Sequence, residues 1–423
     1  MKSEENLYEN KVIKEKAILV AIDSNSGILD TETSLEELEE LVVTVGGEVV
    51  CSVTQKLDKP HVKHYVGKGK VEEIKELIEG YEADLVVFDD ELTSVQSKNL
   101  AADLGVKILD RTGIILEIFA GRATSNEGKI QVELAMLRYK KSRLLGQGIE
   151  MSRQGGGIGT KGVGEKKLEL DRRNINDKIA NLNKELKEIE KHREVLRYNR
   201  KRNNNYIVSL VGYTNAGKST ILNALSNSDI LAEDMLFATL DTTARNVELV
   251  NGSKIILMDT VGFIQKLPTT LIKAFKSTLE ELVFADVLVH VVDGSDKSRE
   301  EHIKVVENTL EEIGVKDKPV ILVYNKIDRG IEYPIVKRDK YFTTVEISAK
   351  TGENLEVLKT EIENVLKSFR KSINVILPFT EGKLTAEVHD NCEVLEEEYI
   401  ETGIKLSLYC DERMSNKLKS FKI

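Results

Sequence analysis

The stretch YIVSLVGYTNAGKSTILNAL, residues 206–225, decides how this chain is read. An apolar run that suits a buried strand leads into Gly212, Tyr213, Thr214, Asn215, Ala216, Gly217, Lys218, Ser219 and Thr220, and an amphipathic helical pattern follows. Strand before and helix after is the context that gives the pattern G-x-x-x-x-G-K-[ST] its meaning as a phosphate loop. Glycines let backbone N–H groups close around a β-phosphate at a helix N-terminus. Lys218 is placed to reach the β and γ oxygens, and the Ser219 hydroxyl to ligate magnesium. The bare pattern also occurs by chance, so the rest of the reading depends on its neighbours.

Three further boxes follow in order, each at the end of an apolar run, where ligands bind in open α/β sheets. KIILMDTVG, residues 254–262, ends in Asp259, Thr260, Val261 and Gly262. There a carboxylate can hold magnesium through water and a glycine amide can sense a γ-phosphate. PVILVYNKID, residues 319–328, ends in Asn325, Lys326, Ile327 and Asp328. An aspartate carboxylate accepts both N1–H and the exocyclic amine of guanine, a donor pair that adenine lacks, so the expected nucleotide is GTP. VEISAK, residues 345–350, supplies Ser348, Ala349 and Lys350, where a backbone N–H meets guanine O6. Between the first two boxes lies LFATLDTTARN, residues 236–246, and one of its threonines, Thr239, Thr242 or Thr243, is needed to complete magnesium coordination when the γ-phosphate is present. Such a segment is ordered by GTP and released after hydrolysis.

Catalysis needs a group to orient the attacking water. Ras-like proteins use a glutamine directly after the second-switch glycine, and here that place is Phe263. A phenyl ring cannot orient water, so slow intrinsic hydrolysis is expected; Gln265 stands two residues further on. Asn215 offers another route, because asparagine at this place in the loop recurs in GTPases that recruit potassium beside the phosphates. The ion would neutralise charge developing between the β and γ phosphates, and potassium stimulation is the expectation.

Upstream, residues 16–122 alternate apolar runs (KAILVAI, EVVCSV, ADLVVFDD, VKILD) with helical patterns such as SLEELEELVVTVGG and KVEEIKELIEGY. Strands separated by single helices call for a parallel sheet. From about Glu127 the period becomes helical throughout. Ile175, Ile179, Leu182, Leu186, Ile189 and Leu196 form a heptad seam. Its nearest partner is the helix expected to end near Leu145, giving an antiparallel hairpin; an intermolecular coiled coil is the alternative, with a monomer favoured. The polar break RKRNNN, residues 200–205, separates the hairpin from the phosphate-loop domain. After Asn374, SINVILPF, KLTAEVHD and GIKLSLYC read as two or three strands, with EVLEEEYI between the last two. The expected fold class is α/β: an N-terminal parallel α/β domain over 1–125, a long antiparallel helical hairpin over 126–203 with its tip at 146–165, a P-loop GTPase domain over 204–370, and a small C-terminal α+β or β domain over 371–423.

The bulk numbers bound the partners. Acids outnumber bases 71 to 61, so the net charge of -10 argues against adhesion of the whole body to nucleic acid or anionic membrane. Three cysteines without C-x-x-C spacing imply neither zinc nor a redox pair. The N-terminus has no apolar signal-peptide core and no run reaches the roughly 18 apolar residues of a membrane span, which predicts a cytoplasmic protein. Locally the balance reverses. Arg138 to Arg173 holds ten basic residues against four acids, and SRQGGGIGTKGVGEKK, residues 152–167, contains six glycines. Concentrated positive charge suits a phosphate-lined cavity, and glycine lets a backbone approach RNA closely.

Several stretches together resemble the HflX-type GTPases, ribosome-associated proteins of the translation-factor-related class. They are KILDRTGIILEIFAGRA, EGKIQVELAMLRY, SRQGGGIGTKGVGEKKLELDRR, LVGYTNAGKSTILNAL, FATLDTTAR and DTVGFIQKLPTTLIKAFKSTLEE, covering most of residues 60–350. The resemblance implies a GTPase, slow alone and stimulated by the ribosome, that binds the large subunit, splits stalled or idle ribosomes, and puts residues 138–173 against rRNA near the peptidyl transferase centre. It also implies that nucleotide contacts fall on Gly212 to Ser219, on Phe237, Ala238, Thr239, Leu240 and Asp241, on Asp259 to Gly262, on Asn325 to Asp328 and on Ser348 to Lys350. Magnesium falls on Ser219 and Thr239, and Lys218, Thr239, Gly262 and Asn215 carry catalysis. Two departures from the family pattern are Thr242, where proline is usual, and GVGEKKLE for GPGETQLE, which adds Lys166 and Lys167. The family has been credited with ATP binding by its N-terminal domain, for which VGKGKVEE, residues 66–73, is a weak candidate. Alternatives are an RNA-remodelling ATPase driven by that domain and a GTP-switched protein scaffold that needs no RNA.

Overall fold

Four short apolar runs near the N-terminus become strands because each is followed by a helix with its own stop signals. The computed structural model describes residues 14–24, 30–154, 163–202, 206–226, 236–237, 242–268, 271, 275–330, 338–410 and 412–423. Strands β1 (Lys16–Asp23), β2 (Glu48–Lys56), β3 (Leu85–Phe88) and β4 (Lys107–Asp110) alternate with helices α1 (Thr31–Thr44), α2 (Lys68–Tyr81), α3 (Ser94–Leu104) and α4 (Arg111–Arg122). The sheet order is β2-β1-β3-β4 and every pairing is parallel. β1 and β3 are buried on both faces, as a strand between two helical layers must be. Asp30 caps α1 by accepting from the Thr33 amide at 2.7 Å. Thr93 and Gln96 form a reciprocal capping box on α3.

Asp110, fully buried at the end of β4, fastens the next layer. Its carboxylate accepts from the amides of Leu92 and Gly113, both at 2.9 Å, and from the Tyr139 hydroxyl at 2.7 Å, and it pairs with Arg143 at 2.8 Å. The last two residues lie on α5 (Asn126–Gln154). That helix runs antiparallel to α6 (Val163–Arg202), with Glu127 near the start of one 2.6 Å from Arg193 near the end of the other. Ile175, Ile179, Leu182, Leu186 and Ile189 are half-buried along this pairing. Within the tip expected at 146–165, residues 146–154 continue α5 and α6 begins at Val163, so residues 155–162 lie between the helices, outside the described residues. Gly146 and Gly148 each cost about 1 kcal/mol relative to alanine in a helix, a penalty that a 29-residue helix anchored at its base absorbs.

The next sheet contains β5 (Tyr206–Gly212), β6 (Thr243–Glu248), β7 (Lys254–Asp259), β8 (Val287–Asp293), β9 (Val320–Asn325) and β10 (Thr343–Glu346) in the order β10-β9-β8-β5-β7-β6. Only the edge strand β6 is antiparallel. Helices α7 (Lys218–Ser226), α8 (Lys276–Phe284), α9 (Arg299–Glu312) and α10 (Leu355–Ser368) accompany it. This domain shares a core with the first. Phe119 of α4 meets Phe237 and Phe275 edge-on, with ring centroids 4.8 and 5.0 Å apart, and Ile115 and Phe263 are buried in the same cluster.

The C-terminal piece is α+β, with an antiparallel sheet β11-β13-β12 formed by β11 (Lys371–Leu377), β12 (Glu393–Ile400) and β13 (Gly403–Cys410). Here the expectation is corrected twice: KLTAEVHD lies in helix α11 (Gly382–Asn391), and EVLEEEYI is the strand β12. Leu384 and Val388, four residues apart, share the inward face of the helix. The glutamates of EVLEEEYI lie on an edge strand, where charge blunts further pairing. Among the described residues no helix is long and apolar enough to cross a membrane.

Candidate active site

At the end of β5 the chain turns into α7 through a loop that admits no bulk. Gly217 has φ +92°, and a methyl group there would lie 2.2 Å from Nδ2 of Asn325. The Lys218 ammonium is buried and donates to the carbonyls of Gly212 at 3.1 Å and Tyr213 at 2.8 Å. Burial pushes its pKa down to about 8, against the opposing pull of Asp259. Ser219 Oγ donates to Asp259 Oδ2 at 2.6 Å, so the two oxygen groups expected to serve magnesium sit together; a hydroxyl beside a carboxylate suits a hard cation. The buried Thr214 hydroxyl has no hydrogen-bond partner among the described residues, which fits a loop built to meet a polar ligand.

The base end is equally organised. Asn325 Nδ2 donates to Ala216 O at 2.9 Å, and its Oδ1 accepts from the Ala349 amide at 3.0 Å, tying the first, third and fourth boxes together. Ser348 Oγ donates to Asp328 Oδ1 at 2.6 Å, and this bond holds the exposed Asp328 carboxyl below its ordinary range. Lys326, with φ +64°, pairs with Asp293 at 2.8 Å, and Ile327 opens a single 3-10 turn. Lys350 is exposed beside them.

Of the first switch, Phe237 is buried against Phe119 in the interdomain core, and Thr243 opens β6. Ala238, Thr239, Leu240 and Asp241 lie outside the described residues. In the second switch the Thr260 hydroxyl donates to Leu210 O at 2.7 Å and Val261 is buried. Gly262 is pressed onto the phosphate loop: a methyl group there would lie 2.9 Å from the Thr214 Cα and 3.1 Å from the Lys218 ammonium. The Thr214 amide donates to Phe263 O at 2.8 Å and the Phe263 amide to Gly212 O at 3.1 Å, a parallel bridge between switch and loop. Phe263 is 1% exposed, so the ring at the water-orienting position serves packing. The Gln265 amide donates to the Tyr213 hydroxyl at 2.8 Å, and its buried side-chain oxygen has no hydrogen-bond partner among the described residues.

Sequence reasoning missed the surroundings of this switch. Tyr213 donates to Glu37 of α1 at 2.5 Å and stacks on His302 with centroids 3.9 Å apart. Lys266 pairs with Asp89 and, at 2.7 Å, with Asp90, both just past β3. Arg111, 1% exposed, reaches Glu37 at 2.8 Å and Asp89 at 2.6 Å. Burial alone would raise the Asp89 carboxyl, but Arg111 and Lys266 hold it below its ordinary range. The pairs Asp89-Asp90 and Asp110-Arg111 at strand C-termini were the available signal, because charge at that edge of a parallel sheet points to a ligand-facing site.

The basic segment is partly committed to the fold. Arg143 is taken by Asp110 and Ser97, and Arg173 by Glu169 at 2.9 Å. Residues 155–162 lie outside the described residues. Arg193 also reaches Glu281 of α8 at 3.6 Å, linking the hairpin to the helix that follows the second switch.

Known families cover these units in order. The family described as GTP-binding GTPase N-terminal matches residues 32–120, GTP-binding GTPase Middle Region residues 122–200, and 50S ribosome-binding GTPase residues 207–326. The GTPase HflX of Caldanaerobacter subterraneus subsp. tengcongensis is 48% identical over 411 residues, spanning 97% of this chain and 94% of that protein. That of Escherichia coli is 40% identical over 377 residues, 88% of each. Among solved structures, a GTP-binding protein from the archaeon Sulfolobus solfataricus in complex with GDP aligns over 84% of this chain and 99% of that one at 26% identity, with a TM-score of 0.44. With identity of this extent running through all three matched regions, the chain belongs to the HflX family of GTP-binding GTPases.

Proposed function

We propose that this GTPase is a nucleotide-switched factor of the large ribosomal subunit, acting in the cytoplasm as a monomer to split or rescue stalled and idle ribosomes. GTP is held with guanine on Asp328 and the Ala349 amide, and with its phosphates on residues 212–219. Lys218 already spends two protons on loop carbonyls, which aims the ammonium inward. Magnesium would be held by Ser219 and Thr239, with Asp259 through water, and supplies charge neutralisation at the β and γ oxygens. Asn215 is assigned a potassium ion in the same role. Hydrolysis is slow because Phe263 faces the interdomain core, and ribosome contact completes the site.

One observation carries the ribosomal part: the hairpin that bears the basic, glycine-rich tip is rooted in the N-terminal domain at Asp110 and touches the GTPase domain through Arg193 and Glu281. A rigid lever of this kind projects its tip into folded rRNA near the peptidyl transferase centre when GTP is loaded. Differential affinity for the two nucleotide states is the source of the shift. Co-sedimentation with large subunits in a non-hydrolysable GTP analogue or GDP, for the full chain and for a chain lacking Gly155 to Gly164, tests it. Strong binding only of the full chain with the analogue is expected. If about five phosphates are contacted, the log-log salt slope is roughly −3 to −4. Binding that ignores both the excision and the nucleotide sinks the proposal.

A further inference from the structure

The carboxyl edge of the N-terminal sheet is the place where a parallel α/β domain takes a ligand, at the point where neighbouring strands send their connections to opposite sides. In this chain β1 and β3 flank that point, and the cation filling it is Lys266 of the second switch. The socket is built: Asp89 is 1% exposed, and it is braced by Arg111 and by the Ser34 hydroxyl at 2.8 Å. Asp90 also accepts the hydroxyl of the buried Tyr65. Lys266 adopts φ +55°, a left-handed conformation that a lysine takes only when its surroundings enforce it. One turn away, Glu37 is held by the same Arg111 and receives the Tyr213 hydroxyl, which in turn accepts the Gln265 amide. Both ends of the bridge between phosphate loop and switch are therefore fastened to one acidic group of the N-terminal domain.

We infer that the Asp89–Asp90 socket is a clamp on Lys266 that sets the preference of the nucleotide site between GDP and GTP, with Arg111 as its positioning residue. Gly262 lies against Thr214 and beside the ammonium that receives the γ-phosphate, so arrival of that phosphate must move the switch. Movement of Gly262 carries Lys266, four residues on, out of its socket. The clamp thus opposes GTP and leaves GDP unaffected, because GDP has no group to place beside Gly262. By linkage the same coupling makes GTP loosen the contact between the domains at this point.

The test uses the full chain without ribosomes, with fluorescent GDP and a fluorescent non-hydrolysable GTP analogue titrated into the wild type, Lys266→Met, Lys266→Arg, and the charge swap Lys266→Asp with Asp90→Lys. Lys266→Met is expected to bind the GTP analogue about tenfold more tightly, within the range of ordinary coupling energies, with GDP affinity unchanged. Lys266→Arg is expected to stay near the wild type; Lys266→Asp alone, titrated in the same way, is expected to shift as Lys266→Met does, and the swap to move back from it toward the wild type. Circular dichroism verifies folding, and Arg111 remains to neutralise Asp89 in every variant. Equal shifts in both nucleotides, or no shift in either, overturn the inference.

Discussion

The hydroxyl of Tyr213, in the phosphate loop, stands 2.5 Å from the carboxylate of Glu37, in helix α1 of the other domain, and it also accepts the amide of Gln265. Burial, then the Glu37 charge, raise the Tyr213 pKa well above the usual phenol value, so the group stays a neutral donor. Tyr213→Phe keeps the ring on His302 but takes one partner from the Glu37 carboxylate, which keeps Arg111, and leaves the buried Gln265 amide without its acceptor. The expected loss is about 1–3 kcal/mol of unfolding free energy, read by denaturant titration. Unaltered stability means that water replaces the hydroxyl at no cost.

Asp110 predicts a larger effect. It joins the amides of Leu92 and Gly113, the Tyr139 hydroxyl and the Arg143 guanidinium with no exposure of its own. Asp110→Ala leaves Arg143 without its charge partner at the root of the hairpin. Removing one member of a fully buried pair costs about 3–5 kcal/mol, and with the Arg143 side chain 21% exposed the lower end of that range is expected. Hydrogen exchange is expected to rise first in α4 and the first half of α5, and uniform protection there contradicts the hub role.

These two contacts also mark where the sequence ceases to be readable. The four nucleotide boxes are local: each is a few residues between a strand and the next turn, so pattern and spacing suffice, and Asn325, Asp328, Ser348 and Ala349 do meet as one group. Glu37 and Tyr213 are 176 residues apart, and Lys266 and Asp89 are 177. No periodicity reports such a pairing. The C-terminal misreading has another cause. KLTAEVHD alternates polar and apolar residues as a strand does, while Leu384 and Val388 also satisfy the helical step, and only packing against Leu406 and Leu408 decides between them. At the tip, composition does not mark where a helix stops: α5 runs through Gly146 and Gly148 to Gln154.

Asp328 is the residue we propose for base recognition. Its carboxylate is oriented by Ser348, and in the proposed complex it accepts hydrogen bonds from guanine N1–H and the exocyclic amine. Asp328→Asn replaces an acceptor by an NH2 donor facing the guanine amine. GTP affinity is expected to fall at least about a hundredfold, since a site missing a required hydrogen bond rejects its ligand strongly. Xanthosine triphosphate, with a carbonyl where guanine has that amine, is expected to bind the variant better than GTP. Equal loss for both bases assigns Asp328 to structure alone.

Lys218, which we propose meets the phosphates, is expected to set the pH dependence of binding. Burial lowers its pKa to about 8, and a polyphosphate placed beside it stabilises the charged form and raises that value. The sign follows. Below pH 8 the ammonium is charged before and after binding, so affinity is flat; above it, binding must take up a proton, and affinity falls by up to about tenfold per unit. Folding responds oppositely: an ordinary lysine in the unfolded chain stays protonated to higher pH, so the cost of the buried charge is fully present below pH 8 and fades as pH rises beyond it. Calorimetry of GDP binding at pH 8.5 in buffers of different ionisation enthalpy is expected to register net proton uptake. At pH 6.5 it is expected to register almost none from this group. Zero uptake at pH 8.5 means that the phosphates do not reach the ammonium, and the loop then holds its ligand through backbone amides alone.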